Sequence, residues 1–157
     1  MSHITTSLAD FDDSNHAAAI VTMINDYASE PQGGGHELDP QIAAKIVRGL
    51  KSMSNAFTIL AWDRDQAVGA AVCFVGFSTF AARPLINIHD LAVFHTHRGQ
   101  GIGTLLLNAV EDYARSLDCC KVTLEVREQN PRAEQLYRRQ GFGDPGGFPT
   151  RFLDKKL

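Results

Sequence analysis

His97-Arg98-Gly99-Gln100-Gly101-Ile102-Gly103-Thr104 is the stretch that decides how this chain folds. An apolar run, Leu85 to Val93, enters it, and an amphipathic run, Ile102 to Leu117, leaves it. The octapeptide is therefore predicted as a glycine-rich turn between a buried strand and the start of a helix. The first turn of a helix carries N–H groups that have no acceptor inside the helix, and the helix dipole adds partial positive charge at the same point. Phosphate oxygens bind well there. Gly99, Gly101 and Gly103 let a ligand approach the backbone, and Arg98 adds a full charge. The stretch reads as a pyrophosphate cradle.

Two familiar phosphate-binding patterns do not fit it. A dinucleotide fingerprint needs a third glycine where Thr104 stands, and a P-loop needs a Lys that is absent here. A plain strand-to-helix turn is the structural alternative. Against it, each glycine costs roughly 0.5–1 kcal/mol of backbone entropy where Ala would fit. Arg98 beside a positive helix end is also unfavourable unless an anion is present.

Outward from the cradle the pattern is that of a single α/β domain spanning residues 1–157. His3 to Leu8 reads as an edge strand. Asp12-Asp13-Ser14 caps a helix running to Tyr27, with Ala17, Ile20, Val21, Ile24 and Tyr27 at helical spacing. Pro31-Gln32-Gly33-Gly34-Gly35-His36 breaks it into a mobile loop, suited to a flap or to a mere connector. Asp39-Pro40 starts a second helix with Ile42, Ile46, Val47 and Leu50 as its buried stripe. Phe57 to Trp62 and Ala67 to Phe80 are strands joined at Asp63-Arg64-Asp65-Gln66. In Leu85 to Val93 the phase is irregular: Ile86 and Ile88 share one face, Leu91 and Val93 the other. A central strand covered on both faces explains this, and so does a bulge near His89-Asp90. The helix after the cradle should bury Ile102, Leu105, Leu106, Val110, Tyr113, Ala114 and Leu117. A strand over Lys121 to Val126, a helix from Asn130-Pro131 to Gln140 ended by Gly141, and strands at Phe142 and Thr150 to Leu153 complete the chain. The order β-α-α-β-β-β-α-β-α-β-β implies a mixed sheet flanked by helices.

Composition narrows the classes. The 157 residues are 44% hydrophobic and 21% charged, ordinary values for a globular domain. No apolar run reaches membrane-spanning length and the first ten residues lack signal-peptide character, so a cytoplasmic protein without a membrane partner is expected. Cys73, Cys119 and Cys120 suggest small buried apolar residues rather than a disulfide framework. A net charge of −3 argues against a nucleic-acid partner. Residues 1–40 hold seven acids (Asp10, Asp12, Asp13, Asp26, Glu30, Glu37, Asp39) and no Lys or Arg; the rest of the chain carries +4. This is either a solvated acidic face or an acidic part that attracts a cationic substrate beside a basic part that holds an anionic one.

At this point the chain resembles the GNAT superfamily of acyl-CoA-dependent N-acyltransferases. Val93 followed by Arg98-Gly99-Gln100-Gly101-Ile102-Gly103 matches the family's Arg/Gln-x-x-Gly-x-Gly/Ala motif. Asn130, Ala133, Leu136, Tyr137, Gly141 and Phe142 match a second element, Asn-x-x-Ala-x-x-Leu-Tyr-x-x-x-Gly-Phe. A finer resemblance, through Ser78-Thr79-Phe80, Arg83-Pro84 and Ile88-His89-Asp90-Leu91-Ala92-Val93, is to the branch that acetylates diamines, polyamines and related amino-acid side chains. That branch carries Glu-Asp where this chain has His89-Asp90.

The resemblance implies acetyl-CoA as cosubstrate and no metal. Arg98, Gly99, Gln100, Gly101, Ile102, Gly103 and Thr104 would hold the pyrophosphate. Leu91, Ala92 and Val93 would pair with the pantetheine arm as an added strand, and a bulge there would free an N–H for the thioester oxygen. Asn130 would bond the pantetheine amide, or else cap its helix. Tyr137 would be the general acid for the departing thiolate, or else a core aromatic. An alkyl amine is protonated at neutral pH and must lose a proton before attack. His89 suits that base, with an ordinary pKa of about 6.5, though a histidine satisfied within the sheet reads equally well. Asp90 should point away from His89 in a regular strand, to anchor a backbone or an ammonium. The acceptor is expected to be a small-molecule amine: a polyamine, a diamine or an amino-acid-like compound. A protein N-terminus or lysine is the second reading, and a non-catalytic acetyl-CoA sensor the third. The family often forms homodimers.

Overall fold

The first helix begins where its cap predicts. The Asp13 carboxylate accepts from the N–H groups of Asn15 at 2.8 Å and His16 at 3.0 Å, and α1 runs over Ser14–Ala28. Its buried side is Ala19, Ile20, Met23 and Ala28, with Ile24 packed beside them, so the stripe sits slightly round from the predicted one. These side chains meet Leu60, Ala70 and Val72 of the sheet and Leu50 of a later helix. The computed structural model describes residues 3–157. These form two compact units, the first ending at Leu124 and the second Glu125–Leu157.

In the first unit, five strands stand in the order β1 (Ile4–Leu8), β2 (Ala56–Asp63), β3 (Gln66–Ser78), β4 (Arg83–Val93) and β5 (Val122–Leu124). The first four pair antiparallel and β4 pairs with β5 in parallel, giving the expected mixed sheet. Side chains alternate between faces with a period of two. Leu60, Ala70 and Val72 face α1. Phe57 and Gly69 face α4 (Ile102–Ser116): the Phe57 and Tyr113 rings lie 4.5 Å apart, and a Cβ on Gly69 would come within 3.0 Å of Leu106. Helices therefore cover both faces. Along α4, Ile102, Leu106, Leu107, Val110 and Ala114 are buried, whereas Leu105 and Leu117 are each 37% exposed, so the stripe is narrower than predicted and includes Leu107.

Three expectations are corrected. The helix from Asp39 is two helices, α2 (Pro40–Ala43) and α3 (Ile46–Ser52). Ile46, Val47 and Leu50 pack on the α1 core, but Ile42 is 56% exposed, so no burial holds the two segments in one register. The strand from Lys121 is shortened to three residues. In the second unit no strand forms over residues 142–157: Phe152 and Leu153 are exposed at 75% and 80%, and no ladder holds them. That unit is built on α5 (Pro131–Arg139). Among the described residues no helix is long and apolar enough to cross a membrane.

Candidate functional site

The strand before the cradle is bulged. Asp90 pairs with Val72 and Ile88 with Cys73, so His89 is an extra residue with no partner opposite. Of the two explanations for the irregular phase, the bulge is observed, in a strand that also lies between helices on both faces. It also corrects the expected opposition of His89 and Asp90. The pairing puts Asp90 on the α1 face with Val72, and the exposed His89 ring stands edge-on to Phe74 at 5.6 Å, on that same face. Leu91 pairs with Ala71, Ala92 with Ala70 and Val93 with Gly69, while pairing with β5 ends at Ile88. Beyond the bulge, β4 thus continues for five residues, His89 to Val93, past the last residue of the parallel ladder.

Burial raises the Asp90 pKa above its ordinary 3.8, and the neighbouring His89 opposes that shift. The same burial, with the Asp90 charge, pushes the Cys73 thiol up to about 12, so this cysteine is the inert buried residue expected; Cys119 and Cys120 are only half-buried. For Asp90 the sign is fixed. As pH rises past 3.8 the unfolded chain ionises first, so folding loses stability until the folded-state pKa is passed. Asp90→Asn removes that loss. The variant should melt higher than the parent near neutral pH, with the difference closing as pH falls below the carboxylate range. Thermal unfolding at a series of pH values checks this, and a lower melting point at neutral pH would refute it.

The cradle takes the expected shape. His95–His97 form one 3-10 turn, Gly99 and Gly101 take left-handed conformations (φ 77° and 81°), and Gly101 is the N-cap of α4. No side chain caps that helix, so its first-turn N–H groups have no capping side chain to accept from them. A Cβ placed on Gly101 would meet nothing within 4 Å, so the space before the helix is open. Ile102 is buried in the core and pins the turn to the sheet; Gly99 and Gln100 are exposed, and Gly103 and Thr104 half-buried. The site is an open strand edge running into a helix end. A recess of about 780 Å³, bounded by His16, Met23, Trp62, Arg64 and Phe94, lies instead between α1 and the β2–β3 turn, and none of the sequence-predicted site residues lines it.

Arg98 has partners within the chain. Its guanidinium is ion-paired with Glu30, and its Nε donates to the Val93 carbonyl at 3.0 Å. The anion that this arginine needs beside a positive helix end is supplied by the chain itself. Other acids of the first forty residues are similarly engaged. Asp13 and Asp39 cap helices, Asp10 accepts from the Asp12 N–H, Asp12 pairs with Lys51, and Asp26 meets His95 at 3.0 Å. The acids of the first forty residues are therefore largely engaged in caps and ion pairs. Sequence reading missed Glu30 because its partner is 68 residues away. The one available signal was Arg98 itself, a cation placed where an anion must balance it.

In the second unit, Asn130 caps α5, its side chain accepting from the Ala133 N–H at 3.2 Å. The other end is a Schellman motif. Gly141 has φ 87°, its N–H bonds Arg138 and the Phe142 N–H bonds Tyr137 at 3.0 Å. The half-buried Tyr137 ring lies 6.0 Å from that of Phe142, which is the apolar contact such caps carry. The spacing Tyr-x-x-x-Gly-Phe is thus the geometry of a helix end that fixes the tyrosine ring.

Known proteins share this pattern. The profile described as the acetyltransferase (GNAT) family matches residues 20–142. The chain is 26% identical over 132 residues to the uncharacterized N-acetyltransferase YhfO of Bacillus subtilis (strain 168), covering 84% of this chain and 87% of that one. It is 34% identical over 77 residues to the thialysine N-epsilon-acetyltransferase of Bos taurus, covering 49% of this chain and 45% of that relative, less than half its length. Its fold is that of aminoglycoside N-acetyltransferase AAC(6')-Iy in complex with CoA, with a TM-score of 0.75 at 13% identity over 100% of this chain and 97% of that one. A bulged strand, a left-handed glycine and an uncapped helix, in a sequence matched from residue 20 to 142, agree: the chain belongs to the acetyltransferase (GNAT) family and is an N-acetyltransferase.

Proposed function

We propose that this chain acts as one catalytic domain over residues 1–157 and transfers an acetyl group from acetyl-CoA to the primary amine of a small molecule. The observation that carries the reading is the continuous run from the His89 bulge through the open end of β4 to the uncapped start of α4. Its parts fit acetyl-CoA. The first-turn N–H groups of α4 suit a pyrophosphate, and the open strand edge suits the amide-bearing pantetheine arm. Bound there, acetyl-CoA supplies the acetyl thioester.

The chain's own groups do the rest. Backbone N–H groups of Gly101 to Thr104 hold the pyrophosphate, and Leu91 to Val93 align the arm. An N–H group released at the bulge would be available to the thioester oxygen and would steady negative charge there. His89, exposed on the α1 face, takes the proton that the ammonium must lose, and the Asp90 carboxylate beside it steadies the resulting imidazolium. By the family resemblance alone, Tyr137 would return a proton to the departing thiolate, and Asn130, whose side-chain oxygen caps α5, would offer its amide to the pantetheine arm. The small-amine reading is supported by the names of the similar proteins, one acting on thialysine and the other on aminoglycosides.

The test is thiol release from acetyl-CoA across a panel of polyamines, diamines, amino acids, aminoglycosides and N-terminal peptides. Turnover is expected with a small amine, and in His89→Ala the acid limb of the pH–rate profile should be lost. Preference for the peptides would overturn the small-molecule reading. Tight CoA binding with no turnover on any acceptor would overturn the catalytic one. An unchanged profile in His89→Ala would remove that histidine as the base.

A further inference from the structure

Glu30 sits two residues beyond the end of α1 and works in two directions. Its carboxylate holds Arg98, the residue that opens the cradle turn, and Arg98 in turn grips the end of β4 through the Val93 carbonyl. The side chains of Glu30 and Arg98 are only 23% and 32% exposed. An ion pair so shielded is screened less by salt than a surface pair, and separating it would leave two half-buried charges uncompensated. In the other direction, the Glu30 backbone carbonyl accepts from the N–H groups of Gly33 at 2.9 Å, Gly34 at 3.0 Å and Gly35 at 2.8 Å. The loop that the glycines suggested was free is thus gathered onto one carbonyl oxygen. Gly33 lies so close to α1 that a Cβ there would fall 2.0 Å from the Tyr27 carbonyl oxygen.

Two further bonds strap the same elements to the same helix end. Asp26 meets His95 in the 3-10 turn before the cradle at 3.0 Å, and Asn25 accepts from the Leu38 N–H at 2.8 Å. The cradle turn and the glycine loop therefore both hang from the C-terminal end of α1, and Glu30 just beyond it is bonded to both.

We propose that Glu30 is a positioning residue that couples the cofactor cradle to the loop over residues 31–38, so that CoA in the cradle lowers the loop's freedom to open. This rests on the cofactor reading above. An anion before α4 fixes the turn that Arg98 opens, and with it the Arg98 backbone. Arg98 holds the Glu30 side chain, and with it the carbonyl on which three loop N–H groups converge. Coupling of this kind is reciprocal: whatever orders the loop also tightens the cradle. An acceptor amine that packs against the loop would raise cofactor affinity by the same factor by which the cofactor raises its own.

Residue-resolved amide exchange on the full chain, with and without saturating CoA, tests this in the parent and in Glu30→Gln, which keeps the shape and removes the charge. In the parent, CoA should slow exchange at residues 102–105 and also at Gly33, Gly34 and Gly35, by about fivefold or more. In Glu30→Gln the slowing at 102–105 should persist while that at the glycines is lost. Glycine slowing that survives in Glu30→Gln would overturn the proposal, and so would a parent in which CoA protects 102–105 and leaves the glycines unchanged. A parent that shows no protection at 102–105 would overturn the cofactor reading and this inference with it.

Discussion

Tyr137→Phe is expected to lower kcat by about 10²–10⁴-fold and to leave CoA affinity unchanged, the usual worth of a positioned general acid. The substitution isolates the hydroxyl. The ring is fixed by the helix end: the Phe142 N–H bonds the Tyr137 carbonyl, and the two rings meet at 6.0 Å. Phe preserves both, so α5 should keep its cap and the ring its place. Steady-state turnover with acetyl-CoA gives the rate, and calorimetric titration with CoA gives the affinity. A variant with full turnover would remove Tyr137 from the mechanism. One that loses CoA affinity in parallel would make it a binding group instead.

Gly101→Trp should abolish CoA binding. The residue takes φ 81°, a conformation that costs an L-residue of order 1–2 kcal/mol, and the volume ahead of it is open. An indole in that volume occupies the space that a pyrophosphate needs and screens the first-turn N–H groups of α4. Losing two or more hydrogen bonds to a charged group, at about 1.5–3 kcal/mol each, corresponds to more than a hundredfold in affinity. Because no neighbour lies within 4 Å of the added Cβ, the side chain projects outward and the fold should survive. Circular dichroism checks the fold and calorimetry the binding. Retained affinity would place the pyrophosphate elsewhere.

Much of the architecture is readable in the chain because its signals are local. Asp13, Asp39 and Asn130 cap helices that start at the next residue, and Gly141 ends the last one as its position predicts. The irregular phase of Leu85 to Val93 is a property of nine consecutive residues, and it is consistent with a bulge or with a strand covered on both faces. What escaped reading depends on partners distant in sequence. Thr150 to Leu153 includes residues that favour strands, but side-chain type does not provide a neighbouring backbone. Ile42 continues a helical stripe that has nothing to bury it. Glu30 and Asp26 look like surface charge until the cradle turn folds back over the end of α1. The acidic bias of the first forty residues, suggestive of an attraction for cations, is in large part a set of caps and pairs.

The short ladder between β4 and β5 has a consequence for solubility. A strand that outruns its neighbour exposes unpaired N–H and C=O groups, and such edges recruit strands from other molecules. Here the run past the parallel ladder is five residues long, His89 to Val93, with only His89 exposed, and it starts with a bulged residue followed by an acid. Bulges twist an edge out of register, and inward-pointing charges oppose pairing with a foreign strand. The bulge, which on the proposed reading would also make room for a ligand's amide-bearing arm, therefore opposes intermolecular association at this edge.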